Sequence, residues 1–118
     1  MKKTSFKITK SLLDLENAIL ANMDIPRTVF HRRMIDDFVK RDGEIMPRLL
    51  ITRKTDPAYI RKEAFEQIYL DDERRIQIEK IAKKYNCKQG IVLFQMLLDY
   101  CCLQASDVLG DLAGYIKE

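Results

Sequence analysis

The sequence has few of the residues that mark catalytic or metal-binding proteins. It contains one histidine, three cysteines, four glycines and no tryptophan. A single histidine without a Cys-x-x-Cys pair is no metal signature, and the scattered glycines form no phosphate-binding loop. We therefore expect no catalytic residue, no metal and no cofactor, and we predict that the protein is not an enzyme.

Long apolar runs and a regular cysteine framework are also missing. No apolar run reaches the ~18 residues of a membrane span, and no long apolar stretch follows the basic N-terminus, as a secretory signal would require. Three irregularly spaced cysteines argue against a disulfide scaffold. The remaining composition, 47% hydrophobic and 33% charged over 118 residues, is typical of one folded domain. We expect a cytoplasmic protein without membrane contact.

The charge that is present is unevenly distributed. Residues 1–62 carry 14 basic and 8 acidic side chains, whereas residues 63–118 carry 7 basic and 10 acidic ones. The first ten residues contain Lys2, Lys3, Lys7 and Lys10 and no acid. A basic end of this kind either faces a polyanion or forms a solvated tail, and charge alone leaves both interpretations open.

The first third of the chain predicts one strand followed by two helices. Residues 5–9 alternate between polar and apolar, so that Phe6 and Ile8 share one side of a half-buried strand. After the strand come two sets of apolar residues, each at helical spacing, and a break at 24–26 separates the two predicted helices. The sets are Leu12, Leu15, Ile19 and Met23, and then Phe30, Met34 and Phe38.

The same order returns 62 residues later. A strand is predicted at 67–70, an amphipathic helix follows it, and the nearly all-apolar segment 91–102 indicates a buried helix. An ungapped offset of 62 places Phe6 on Ile68, Thr9 on Asp71 and Asp24 on Asn86. The pattern predicts an internal duplication, and the alternative is chance similarity between amphipathic segments.

The remaining segments complete the predicted organisation. Segment 41–64 is too apolar for a flexible linker, so we expect it to pack on the domain with a short helix at 57–65. Ser106 or Asp107 is expected to cap a last helix. The prediction is therefore one compact domain over 1–118. It contains repeats at 4–40 and 66–103, a packed connector at 41–64 and a C-terminal helix at 104–118.

A short strand with two inward apolar positions, followed directly by two short helices, resembles the ribbon-helix-helix DNA-binding superfamily of the Arc/MetJ type. Two copies in one chain resemble the tandem arrangement of TraY-type relaxosome proteins of conjugative plasmids. The resemblance covers both repeats. It implies a mostly α-helical fold in which two interlocked units form a short two-stranded antiparallel β-ribbon. We expect the strands to pair within one chain, and exchange between two chains of a homodimer is the alternative.

The resemblance implies that outward strand residues read base edges in the major groove of DNA. In the first strand these residues are Ser5, Lys7 and Thr9, and in the second they are Gln67 and Tyr69. Lysine donates to guanine, and glutamine pairs with adenine. For Thr9 and Asp71, helix capping is the alternative role. Asp71 is the next outward position of the second strand, but a carboxylate is poorly suited to base reading because the phosphates repel it unless it faces cytosine.

The resemblance also implies phosphate contacts at the start of the second helix of each repeat, where the helix dipole attracts anions. The matching residues are Arg27 and Thr28 in the first repeat and Lys88 and Gln89 in the second. Lys2 and Lys3 are expected to hold phosphates as well. The alternative is that all of these are ordinary surface residues.

Together these inferences predict a sequence-specific double-stranded DNA-binding protein. It would act as a transcriptional repressor or as an accessory protein of plasmid or integrative-element transfer. The alternative from another class is an antitoxin-like protein-interaction module of the same fold, with 41–64 and the C-terminal helix as its partner surface. A third possibility is that only one repeat has the ribbon-helix-helix fold and that the chain forms an ordinary homodimer through it.

Overall fold

A computed structural model describes residues 2–108, which form a two-stranded antiparallel sheet and four α-helices. The class expected from the sequence, mostly helical with one small antiparallel sheet, is confirmed. The elements follow one another as β1 (Lys2–Ile8), α1 (Lys10–Met23), α2 (Arg27–Lys40), β2 (Ala64–Leu70), α3 (Asp72–Tyr85) and α4 (Gln89–Val108).

Five of the six boundaries of the first three elements recur 62 residues later. Strands β1 and β2 begin and end at this offset, as do helices α1 and α3, and α2 and α4 begin at this offset. The caps recur too: Thr9 Oγ1 accepts a hydrogen bond from the Leu12 N–H, and Asp71 Oδ1 accepts one from the Arg74 N–H. Helices α1 and α3 both end at a residue in the left-handed conformation that Asp and Asn tolerate, Asp24 and Asn86.

Strands β1 and β2 pair antiparallel within the one chain, as predicted. Ser5 lies opposite Gln67, at the centre of the ladder, and these two residues are themselves 62 positions apart. Phe6 and Ile8 from β1 and Ile68 and Leu70 from β2 point inward and are buried. The opposite side of both strands is exposed.

Several predicted boundaries were wrong. Strand β1 begins at Lys2 rather than at residue 5, and β2 begins at Ala64 rather than at 67, because each partner extends the ladder of the other. The helix predicted at 57–65 is not formed, and the only helical turn in the connector is a 3₁₀ turn at Pro47–Leu50. Helix α4 passes through Ser106 without a break, so no helix begins there. The predicted C-terminal helix otherwise lies outside the described residues.

Helix α4 is the centre of the core. It packs against α1, α2, α3 and β1 and buries residues along most of its length, including Val92, Met96, Leu97 and Cys101. The ring of Tyr100 meets that of Phe30 edge to face at 5.0 Å. The connector joins this core through Ile45 and Leu49, which are both buried. None of the helices described is long and apolar enough to cross a membrane.

Two phenylalanines on opposite sides of the ribbon test the inward-outward assignment. Phe6 is 3% exposed and Phe65 is 63% exposed. We expect Phe6→Ala to lower the free energy of unfolding by about 3–5 kcal/mol, because it opens a cavity in the core. Phe65→Ala is the matched control and should change it by less than about 0.5 kcal/mol. Urea unfolding measures both, and equal effects would contradict the assignment.

Candidate nucleic-acid interface

The outward side of the ribbon, here called the outer face, carries six exposed side chains and no acidic one. Three come from β1 and three from β2. The face combines two cations, two small or amide hydrogen-bonding groups and two aromatic rings: Lys3, Ser5, Lys7, Phe65, Gln67 and Tyr69. The Lys7 ammonium lies 6.0 Å from the ring centre of Phe65. These groups can donate and accept hydrogen bonds and offer apolar contact to a partner.

Four of the five residues expected to read bases lie on the outer face: Ser5, Lys7, Gln67 and Tyr69. Thr9 does not, because it follows β1 and its hydroxyl caps α1. Asp71 is likewise beyond β2, where its carboxylate accepts from the Arg74 N–H and pairs with the Arg74 guanidinium. Both residues therefore take the capping role, and the carboxylate of Asp71 is neutralised.

The residues expected to hold phosphates lie in strand β1, at the start of α2 and at the start of α4. Lys2 and Lys3 belong to strand β1 rather than to a tail, and Lys3 is on the outer face. Lys88 and Gln89 are exposed at the start of α4, and Thr28 is exposed in the first turn of α2. Arg27 also begins α2, but its guanidinium turns inward onto two carboxylates. Arg27 is therefore paired within the protein, whereas Lys88 has no carboxylate partner among the residues described.

Arg27 forms an ion cluster with three buried residues, Glu16, His31 and Glu66, and its own side chain is 38% exposed. Arg27 Nη1 lies 2.7 Å from Glu16 Oε1 and 2.9 Å from Glu66 Oε2. His31 Nε2 lies 3.0 Å from Glu16 Oε2 and 3.0 Å from Glu66 Oε2. The cluster joins α1, α2 and β2. Because its members are far apart in sequence, no local motif indicated it.

Burial and mutual contact shift the pKa values within the ion cluster. Burial raises the pKa of Glu16 from 4.5 to about 7. Burial opposes ionisation of Glu66 too, but hydrogen bonds with His31 and Glu16 and the charge of Arg27 lower its pKa to about 2. The pKa of His31 is raised despite burial, because both carboxylates stabilise the imidazolium.

The ion cluster also brings together the atom types of a metal site. The carboxylates of Glu16 and Glu66 and the His31 imidazole place their nearest atoms within 4.8 Å of one another. Arg27, however, contacts both carboxylates with its own positive charge. The protein thus supplies the cation that the two carboxylates require, and we assign the cluster to ion pairing rather than to metal binding.

The ion cluster distinguishes the two repeats. At an offset of 62, Ile78 corresponds to Glu16 and Leu93 corresponds to His31, and both are buried. Thr4 and Gln89 correspond in the same way to Glu66 and Arg27. Buried apolar side chains therefore occupy the positions that correspond to Glu16 and His31.

Sequence reasoning missed two groups of residues near the outer face. Phe65 was assigned to a helix, although it alternates in phase with Gln67 and Tyr69. The connector residues Arg61 and Lys62 were not considered, although partial burial and the like charge of Lys7 both lower the pKa of Lys62. The signal available in the sequence was the row of cations between 48 and 62.

The ion cluster predicts how stability varies with pH. Glu16 and His31 have raised pKa values in the folded state, so the stability that they contribute is lost as pH rises. We expect the free energy of unfolding to fall between about pH 5 and about pH 8. Glu66 has the opposite sign, so stability also falls as pH drops from 4.5 towards 2.

Glu16→Gln should reduce the decline between about pH 5 and about pH 8, because the amide does not titrate. Glu44→Gln, at an exposed position in the connector, is the matched control and should keep the parent's profile. Urea unfolding across the pH range measures this. A Glu16→Gln profile that parallels the parent's would show that Glu16 does not titrate in that range.

Replacing the ion cluster by the residues at the offset of 62 tests its energetics. His31→Leu alone removes one partner of two buried carboxylates and should cost about 3–5 kcal/mol of stability. The variant Glu16→Ile/Arg27→Gln/His31→Leu/Glu66→Thr takes at each position the residue found at the offset of 62 in the other repeat, and it should recover most of that loss. The prediction is wrong if thermal and urea unfolding find the fourfold variant no more stable than His31→Leu.

No protein-family model, curated protein or solved structure matches this chain. The outer face is exposed, free of acids and rich in hydrogen-bonding groups. The start of α4 adds exposed polar and cationic residues.

Proposed function

We propose that this protein binds double-stranded DNA in a sequence-specific manner by placing the β1–β2 ribbon in the major groove. The observation that carries the proposal is the outer face: six exposed side chains on a two-stranded ribbon, none of them acidic. A major groove about 12 Å wide admits a β-ribbon, and sequence is read there by hydrogen bonds and methyl contacts. Each side-chain type on the outer face suits one of these contacts.

Individual residues of the outer face match particular base edges. Lys3 and Lys7 can donate to the O6 and N7 of guanine, and Gln67 can form two hydrogen bonds with adenine. Phe65 offers an apolar surface to the methyl group of thymine. Because the residues of β1 and β2 differ, the proposed DNA site has a direction and is not a palindrome.

The recurrence of element boundaries supports a tandem ribbon-helix-helix fold as the frame for this activity. Each repeat contributes one strand, a capped helix of 14 residues and a second helix. The start of α4 then supplies the phosphate contact through Lys88 and Gln89, where helix N–H groups favour anions. The proposed biological role is repression of transcription, or assistance in plasmid or integrative-element transfer, by occupation of a DNA site.

The protein-interaction alternative is less well supported. It places the partner surface on 41–64 and on the C-terminal helix, which lies largely outside the described residues. It requires the apolar residues of 41–64 to be available to a partner. Ile45 and Leu49 are instead buried in the core, and Met46 and Leu50 pack against it. The segment therefore completes the domain itself.

Two substitutions separate base reading from phosphate binding. Cognate sites would first be selected by the parent protein from a random duplex library. Lys7→Ala should then weaken cognate binding by about 1–3 kcal/mol and leave random duplex almost unchanged. Lys88→Ala should weaken both duplexes alike and reduce the slope of log affinity against log salt by about one.

Lys80→Ala is the control for both substitutions, because Lys80 is exposed on α3 and lines a separate pocket with Phe38 and Gly43. Fluorescence anisotropy titrations at several salt concentrations give the affinities and slopes. The proposal fails if the parent binds no duplex at low salt. It also fails if Lys7→Ala preserves the parent's ratio of cognate to random affinity.

A further inference from the structure

An open groove of about 1490 Å³ runs from the outer face to the start of α4. Ser5 and Lys7 line it at the ribbon end, and residues 88–91 line it at the helix end. Its remaining walls are the connector between Leu49 and Glu63 and the second half of α3. The groove is therefore continuous with the surface that we propose to enter the major groove of DNA.

The groove carries a marked excess of positive charge. Six of the side chains that line it are cationic: Lys7, Lys54, Arg61, Lys62, Lys83 and Lys88. Within residues 2–108, none of these six is paired with a carboxylate. Two acids, Glu63 and Glu79, also line the groove. Glu79 Oε2 lies 2.7 Å from Arg75 Nη1, so that arginine neutralises it. By contrast, Arg41 and Arg74 on other surfaces are each paired with aspartates.

Two aromatic rings hold Lys62 in place among these cationic side chains. Its ammonium lies 5.5 Å from the ring centres of both Tyr59 and Phe94. Partial burial and the neighbouring charge of Lys7 both lower its pKa. Two like charges are thus kept close together where the groove meets the outer face, and a bound anion would relieve their repulsion.

The helix end of the groove adds the favourable end of a helix dipole. Helix α4 has 20 residues, and its first N–H groups have no partner within the helix. Lys88 and Gln89 are exposed beside them. At the corresponding end of α2, Arg27 is neutralised by Glu16 and Glu66, and within residues 2–108 the connector lies on the α4 side. The charge available to an anion is therefore concentrated on the α4 side.

We infer that this cationic groove binds the phosphate backbone of the DNA strand that flanks the ribbon on the α4 side, with the connector as a third DNA-contacting element. The inference rests on the proposed DNA binding and deepens it. It assigns phosphate contacts to Lys54, Arg61 and Lys62, and it makes the footprint longer on the α4 side than on the α2 side.

The test compares two charge-matched double variants. Lys54→Gln/Arg61→Gln removes two exposed cations from the groove, and Lys80→Gln/Lys84→Gln removes two from the opposite side of α3. Each phosphate contact contributes about 0.9 to the slope of log affinity against log salt. We expect the groove variant to reduce that slope by up to about two and to weaken cognate and random duplex equally. The control should retain the parent's slope, and thermal unfolding verifies that both variants fold.

The outcomes separate the inference from the proposed function. If the parent binds duplex and the groove variant keeps the parent's slope, the groove makes no phosphate contact although DNA binding stands. If both double variants reduce the slope equally, the effect comes from net charge, and the groove assignment is wrong. If the parent binds no duplex but binds polyglutamate through Lys54 and Arg61, DNA binding itself is wrong and the groove receives an acidic polypeptide.

Discussion

The pairing of β1 with β2 is the interaction on which the rest of the structure depends. An isolated two-stranded ribbon is marginal in water, and this one persists because the helices cover its inward side. Its register also determines which side chains the ribbon exposes, since a slip of one residue would exchange the inner and outer sides of a strand. The alternation of Phe6 and Ile8 with Ser5 and Lys7 makes that slip costly, because it would bury an ammonium and expose two core residues.

The ion cluster adds selectivity to this pairing. Glu66 from the second repeat meets Glu16, Arg27 and His31 from the first. If two second repeats paired instead, Glu66 would face the counterparts of Glu16 and His31, which are Ile78 and Leu93. A carboxylate buried there would lack both its cation and its hydrogen bonds, at a cost of several kcal/mol. The cluster therefore favours the pairing of unlike repeats.

Local patterns predicted the elements that depend on local interactions, and long-range contacts account for the errors. Alternation and helical spacing were sufficient for the strand-helix-helix order in both halves of the chain and for most of the outer face. The buried Glu66 broke the alternation, so β2 was started too late and Phe65 was missed. The first residues of β1 have no apolar signal and are extended because β2 pairs with them. The inward turn of Arg27 could not be predicted, because its partners lie in α1 and β2.

The connector that joins α2 to β2 makes the two strands part of one molecule. Separate strands would meet only above their dissociation constant, whereas tethered strands see each other at an effective concentration of about millimolar. Folding is then unimolecular, and the free energy of unfolding does not vary with the amount of protein. A cell that holds only a few copies of this chain would still have a complete ribbon on each of them, at any dilution.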